Sequence, residues 1–410
     1  MKTNAIVAGI GMTRFGKHMD LGLKALGAEA VELALADAGI DASKLEIAYV
    51  GNAAAGLITG QESIRGEVIL RGMGIGMIPV INVENACASA STAFNQACAM
   101  VTAGLYDVVL ALGVEKLYHE DKRRTFGAFT GAVDVEALAD IMASLKKSAE
   151  SGGAAAAASG AGEKRSMFMD IYAAAARTHM ERYGTTARHF AEIAAKSSFH
   201  GSLNERAQFR EVMTAEQVLA APMVAEPLTR PMCSPIGDGA AAAVVVSERK
   251  ARELGVRAPV RVLTTVLRSG WDHGYDDPGL AEVCAAQAYE EAGIGPEDLS
   301  VIECHDASAP AELMAYESLQ LCGKGEGRKL VDEGATRLGG RIPVNTSGGL
   351  LRKGHPVGAT GIAQIVELTE QLQGRAGRRQ VEAAKVGLAH NGGGNIGIDA
   401  AALCVTVLAR

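Results

Sequence analysis

A repeat within the chain limits its fold more than any other feature. The stretch from Ala30 to Ile40, followed by Leu45 and the strand-like Ala48-Tyr49-Val50, returns as Ala285 to Ile294, followed by Leu299 and Val301-Ile302. Each copy reads as an amphipathic helix with glycine at its C-terminal end, then a strand. A second pair runs in the same order: the helix after Cys87 with the strand Val108 to Leu112, and the helix after His355 with the strand Val386 to Leu388. The chain therefore reads as α/β, built of two related halves whose strands end near one shared site, where ligands of such sheets bind. Residues 1–115 and 236–255 form the first half, 256–410 the second, and 116–235 a long excursion between them. Within that excursion the Ser/Gly/Ala stretch 151–162 is expected to be a mobile loop.

Cys87 stands where the run Ile78, Val80, Ile81 and Val83, read as a buried strand, gives way to a helix of small residues from Ala88 to Met100. At such a junction the unpaired amides and the positive helix end favour thiolate over thiol, and thiolate is the form that attacks an acyl carbon. A free cysteine is more often only a small buried hydrophobe, so this reading needs support. Three further patches at strand ends or helix starts supply it. The loop Asn345 to Gly361 is rich in glycine and carries His355, a base for Cys87 if the fold joins them. Its Ser347 and Gly348 suit a surface where backbone approaches a ligand closely. His305 and Asp306 follow the strand Leu299 to Ile302, and His390-Asn391-Gly392-Gly393-Gly394 follows the strand Ala384 to Leu388.

Bulk properties narrow the partners. A net charge of −7 gives no basic field for nucleic acid or an anionic membrane, and no stretch reaches transmembrane length. Seven cysteines without a CxxC pair suggest neither a disulfide framework nor a metal site, and fit a reducing cytoplasm. The N-terminus enters a strand pattern directly, without a signal peptide.

Taken in order over nearly the whole chain, these residues resemble the thiolase superfamily, and within it the sterol-carrier-protein-type thiolases. The resemblance rests on the nucleophile segment Asn82 to Ser89, Tyr183-Gly184-Thr185-Thr186, Pro227-Leu228-Thr229 and Gly237-Asp238-Gly239. It extends to His305-Asp306, Gly354-His355-Pro356 and the final His390 to Gly394. It implies a thiolase fold, a five-layer α-β-α-β-α sandwich of two five-stranded sheets, in a homodimer or dimer of dimers. It also implies acyl-CoA substrates, with coenzyme A as substrate and no permanently bound cofactor. By resemblance Cys87 accepts the acyl group, His355 activates it, His305 holds a thioester oxygen, and the amides of Cys87 and Gly392 form the oxyanion hole. Asn391, Gly393, Ser347 and Gly348 are expected beside them at the coenzyme-binding surface.

Two positions depart from the family pattern. Where thiolases carry a second, acid/base cysteine this chain has Ala307 and His390, and alanine moves no proton. Three routes stay open: His390 or His305 substitutes, the substrate stabilises its own carbanion, or decarboxylation generates it, as in ketoacyl synthases. The chain reads as a thiolase-type acyltransferase acting on a bulky, aromatic or fatty acyl-CoA. The alternatives are a non-catalytic acyl-CoA- or lipid-binding subunit, and a retro-aldolase or condensing enzyme. Some relatives work with a small zinc-ribbon and OB-fold partner protein, and such a partner is compatible with this chain.

Smaller features complete the expectations. Met12, Met73, Met77 and Met232 are candidates for an acyl pocket, and 4% aromatic content points to mainly aliphatic walls. Cys98, Cys233, Cys284, Cys304, Cys322 and Cys404 are read as core or near-core residues. Lys122-Arg123-Arg124 and Lys164-Arg165 read as solvated faces or as contacts to the phosphates of coenzyme A.

Overall fold

The computed structural model describes residues 1–151 and 165–410. Apart from Ser151, the expected Ser/Gly/Ala loop lies outside the described residues, as does Lys164. Eleven strands are described: β1 (Ala5–Met12), β2 (Ile47–Gly51), β3 (Val80–Val83), β4 (Val108–Glu115), β5 (Met223–Ala225), β6 (Leu228–Thr229), β7 (Gly239–Ser247), β8 (Val260–Ser269), β9 (Val301–Glu303), β10 (Val386–Gly393) and β11 (Ala402–Ala409). Nine of them hydrogen-bond in the order β3-β2-β4-β7-β1-β8-β11-β10-β9, and β5 and β6 form a separate hairpin.

The order is the sequence repeat written in hydrogen bonds. From its outer edge the first half reads β3-β2-β4-β7-β1, with parallel pairs outside and antiparallel pairs inside. From its own edge the second reads β9-β10-β11-β8 with the same change of sense, and an isolated parallel bridge from Ile302 to Val344 occupies the place of β3. The halves meet through the short pairing of Ile6 with Arg261 and Val7 with Val260. The repeated helices are Leu23–Ala38 and Leu280–Ala292, each closed by a left-handed glycine, Gly39 at φ 66 and Gly293 at φ 70.

Between the two faces run the helices Ser89–Thr102 and Thr360–Leu372, which touch each other and strands of both halves. Their environment is set by period-2 alternation: on β7, Ala241, Ala243 and Val245 join this central core, while Ala240, Ala242 and Val244 join the outer one. Helix, sheet, central helices, sheet and helix make five layers. Small residues let the central pair come close. A Cβ on Gly361 would sit 1.9 Å from the Ser91 hydroxyl oxygen, so only glycine fits there.

One element differs from expectation. The run through Ile81 was expected to be buried, but β3 lies at the open edge of the first half, pairs only with β2, and leaves Ile81 41% exposed. A continuous apolar run does not distinguish an edge from a centre.

The central contact is open to test. Gly361→Ala is expected to cost about 3 kcal/mol by overpacking and to lower the melting temperature by roughly 5 °C. Gly22→Ala is the control, since a Cβ there meets nothing within 4 Å. Equal melting curves for the two variants would mean that the central helices are not held this tightly.

Candidate active site

Cys87 sits on the turn Ala86–Ala88 between β3 and the central helix Ser89–Thr102. Ala86 adopts φ 47, a left-handed conformation unusual for alanine. Local hydrogen bonds hold it: the Ser89 hydroxyl donates to the Ala86 carbonyl at 2.7 Å and accepts from the Asn85 amide at 3.0 Å. Gly393 of β10 backs this turn, and a Cβ there would stand 2.1 Å from the Asn85 carbonyl oxygen.

Both imidazoles expected from the second half reach the thiol. Cys87 Sγ and a ring nitrogen each from His305 and His355 lie within 4.8 Å of one another, and the two rings meet edge to face at 5.2 Å. Their hydrogen bonds define which nitrogen carries the proton. The Thr360 hydroxyl donates to the Pro356 carbonyl at 3.0 Å, so it accepts from His355 Nδ1–H at 2.8 Å. His355 Nε2 is thereby left with a lone pair. On the other ring, Ser91 donates to Asn391 Oδ1 at 2.6 Å, which turns Asn391 Nδ2 toward His305 Nδ1 at 2.9 Å. His305 Nδ1 accepts, and Nε2–H becomes a donor. The centre therefore holds one acceptor and one donor beside the sulfur.

His390 completes the cluster. Its Nδ1 accepts from the His305 backbone amide at 3.3 Å, and its Nε2 is buried with no hydrogen-bond partner among the described residues. Burial holds every imidazole neutral: His355 is pushed down to about 3, His390 to about 4, and His305 well below the usual histidine range. The thiol departs from the sequence expectation. Burial pushes Cys87 up to about 12, against the opposing pull of the Gly394 amide and its own, with Glu115 and Glu84 adding to the rise. The resting pair is thiol and imidazole, because desolvation of the half-buried Cys87 outweighs the helix end.

These groups line a cavity of about 960 Å³ that also receives Gly392 and Gly394. The positions of the remaining expected residues differ. Asn391 is the bridge between Ser91 and His305, and Gly393 packs on the nucleophile turn; neither lines the cavity. Ser347 and Gly348 are also behind the wall. The Ser347 hydroxyl bonds buried Glu303 at 2.6 Å, and Gly348 packs against Gly201. Glycine there serves packing of the loop, not approach to a ligand. The Gly394 amide, beside that of Cys87, is set against Sγ.

Other expectations change too. Met12 and Met232 are core, Met73 packs on the outer core and Met77 is fully exposed; Met169, Met223 and Met314 line the cavity instead. Cys233 is half-buried on the cavity wall and Cys322 is half-buried, while Cys98, Cys284, Cys304 and Cys404 are buried. Arg165 lines the cavity and pairs with Asp170 at 2.6 Å, whereas exposed Arg123 pairs with Asp121.

Glu115 escaped the sequence reading. This buried carboxylate ends β4 and accepts from the amides of Ala53, Ala54 and Gly358 and from Asn52, which fastens the loop carrying His355 to the first half. Burial pushes it up to about 7. A lone glutamate closing the apolar strand Val108 to Val114 was its only sequence signal. Cys87, His305 and His355 are also the described donor set that a thiophilic cation could draw together.

The thiolase N-terminal domain model matches residues 5–249 and the thiolase C-terminal domain-like model residues 279–406. The chain is 37% identical to an acetyl-CoA acetyltransferase of Methanothermobacter thermautotrophicus over 95% of its own length and 96% of that protein's. It is 36% identical to the benzoylsuccinyl-CoA thiolase subunit BbsB of Thauera aromatica, covering 96% of each, and 36% identical to human sterol carrier protein 2, covering 94% of this chain and 69% of that one. Among solved structures, the Ltp2-ChsH2(DUF35) aldolase superposes with a TM-score of 0.77 at 25% identity over 98% of this chain and 97% of that one. Human mitochondrial 3-ketoacyl-CoA thiolase in complex with CoA gives 0.68 at 16% identity over 100% and 98%, a likeness of fold. Matched over both halves and carrying a cysteine between two histidines, the chain belongs to the thiolase family and is a thiolase-like acyltransferase.

Proposed function

We propose that this acyltransferase cleaves or forms the carbon–carbon bond of a β-ketoacyl-CoA through an acyl-Cys87 intermediate. The observation that carries the reading is the sulfur and two neutral imidazoles gathered within 4.8 Å on a cavity wall. In the degradative direction His355 Nε2 takes the thiol proton as Sγ attacks the β-carbonyl carbon. The oxyanion gathers the donors at hand, His305 Nε2–H and the amides of Cys87 and Gly394. Breaking the Cα–Cβ bond leaves its electron pair on the α-carbon of the departing CoA ester, and a proton must reach it. His390 is assigned that transfer, because its ring lines the cavity where Ala307 offers no proton: its unpartnered Nε2–H gives the proton and is restored by the one His355 took from Cys87, which leaves both imidazoles neutral. Free coenzyme A then takes the acyl group and returns a proton through His355 to Sγ.

A second reading has an observation of its own. The aldolase likeness, combined with alanine at 307, supports retro-aldol cleavage, which needs no acyl-cysteine. Assembly belongs to the proposal as well: the open edge of β3 suits pairing with a second copy, and the relative named as a subunit favours a partner protein. No helix among the described residues is long and apolar enough to cross a membrane. With seven unpaired cysteines, a cytoplasmic setting is the proposed compartment.

Three measurements test this. Incubation with a β-ketoacyl-CoA should add one acyl mass to the protein, and Cys87→Ala should abolish the adduct and reduce turnover at least ~10³-fold. Full activity in that variant would remove the covalent route. His390→Ala should leave acylation of Cys87 by a simple acyl-CoA intact while slowing the carbon–carbon step about 10²-fold; an unchanged step would favour a substrate-stabilised carbanion. Because the thiol is raised to about 12 and His355 lowered to about 3, alkylation of Cys87 by iodoacetamide should climb steadily from pH 6 past about pH 10. A plateau reached near pH 7 would reveal a preformed thiolate.

A further inference from the structure

Two aromatic pairs flank the nucleophile. Phe126 on the helix Lys122–Ala128 and Phe129 on the turn that continues it stand three residues apart, and Phe168 and Tyr172 stand four apart on the helix Phe168–Tyr183. Each spacing places a pair on one helical face. All four line the cavity, and all four are half-buried. The chain has eight phenylalanines: Phe15, Phe94 and Phe190 are in the core, Phe199 and Phe209 are exposed, and the other three all face this one cavity. A low aromatic content thus conceals a local concentration.

Each pair is linked to the surroundings of Sγ. The turn Phe129–Ala132 reaches Gly394, where a Cβ would meet the Ala132 carbonyl oxygen at 3.0 Å, and the Gly394 amide faces the sulfur. On the other pair, Tyr172 has Cys87 and Asp306 as its electrostatic neighbours. Met169, Met223 and Met314 line the same cavity, and thioethers pack favourably on aromatic edges. A cavity of about 960 Å³ has room for a ring beyond a pantetheine arm.

We infer, resting on the acyl-cysteine reading above, that the acyl group passed to Cys87 is an aroyl group, its ring held between Phe126/Phe129 and Phe168/Tyr172. Flat rings make offset and edge-to-face contacts that a linear chain cannot reproduce. In the reaction Sγ bonds to the aryl-bearing carbonyl carbon as the Cα–Cβ bond breaks. The α-carbon keeps the electron pair and takes a proton to become acetyl-CoA. The coenzyme A thiol then receives the aroyl group, and its proton returns to Sγ.

The test compares two substrates that deliver seven carbons to the cysteine, 3-oxo-3-phenylpropionyl-CoA and 3-oxononanoyl-CoA. Thiolysis by the full-length protein is expected to give a kcat/KM at least about tenfold higher for the aryl ester, the range a pocket contact commands. The double variant Phe129→Leu, Phe168→Leu should lower that ratio toward one. Equal rates, or preference for the linear ester, would overturn the inference while leaving the acyl-cysteine reading in place. If mass spectrometry found no acyl adduct from either ester, both would fall together.

Discussion

The hydrogen bond from Ser91 to Asn391 holds the centre together. Its partners are 300 residues apart in sequence and belong to different halves, yet their oxygens approach to 2.6 Å. It depends on Gly361, because any side chain at that point of the second central helix would occupy the place of the Ser91 hydroxyl. Its consequence extends to His305: with its oxygen engaged, Asn391 can offer only its amide N–H, and that choice of partner sets the imidazole tautomer. Helix packing thereby decides which proton faces the substrate.

The same close packing desolvates the nucleophile, and the magnitudes decide its resting state. Raising a thiol from 9.0 to about 12 corresponds to roughly 4 kcal/mol against the thiolate. A helix N-terminus returns typically 0.3–1 kcal/mol, and about 2 in a favourable buried setting. Burial wins, so the nucleophile waits as a thiol. The neutral His355 beside it, lowered by the same burial, is then the only form able to accept its proton. Burial also strengthens each donor aimed at the developing oxyanion.

Much of this was legible in the residues alone. The duplicated helix–glycine–strand unit revealed the two halves, and the order of cysteine and histidine patches at strand ends pointed to one shared centre. What stayed hidden depended on distance between residues remote in sequence. The aromatic wall is the clearest case: composition counts residues over the whole chain, while Phe126, Phe129, Phe168 and Tyr172 gather only once the excursion folds across the strand ends. The methionines failed for the same reason, since nothing local distinguishes core Met232 from cavity-lining Met169. Ser347 and Gly348 have the composition of a binding loop but bear on Glu303 and Gly201 behind it. The edge position of β3 is likewise a property of the sheet, not of its apolar run.

Duplication explains why the centre is asymmetric. In the second half the ends of β9 and β10 present His305 and His390 to the cavity. In the first half the corresponding ends of β2 and β4 give way to Asn52 and Glu115, which bond to each other and, through Glu115, to Gly358 instead. Those two residues bind the first half to the very loop that carries His355. One copy of the strand-end surface thus became chemistry, and the other became the mount that positions it. Cys87 is the exception, because its turn enters a central helix and so lies on the boundary both halves share. A nucleophile placed there can be served by imidazoles from across the pseudo-symmetric divide, which neither half could assemble from its own strand ends.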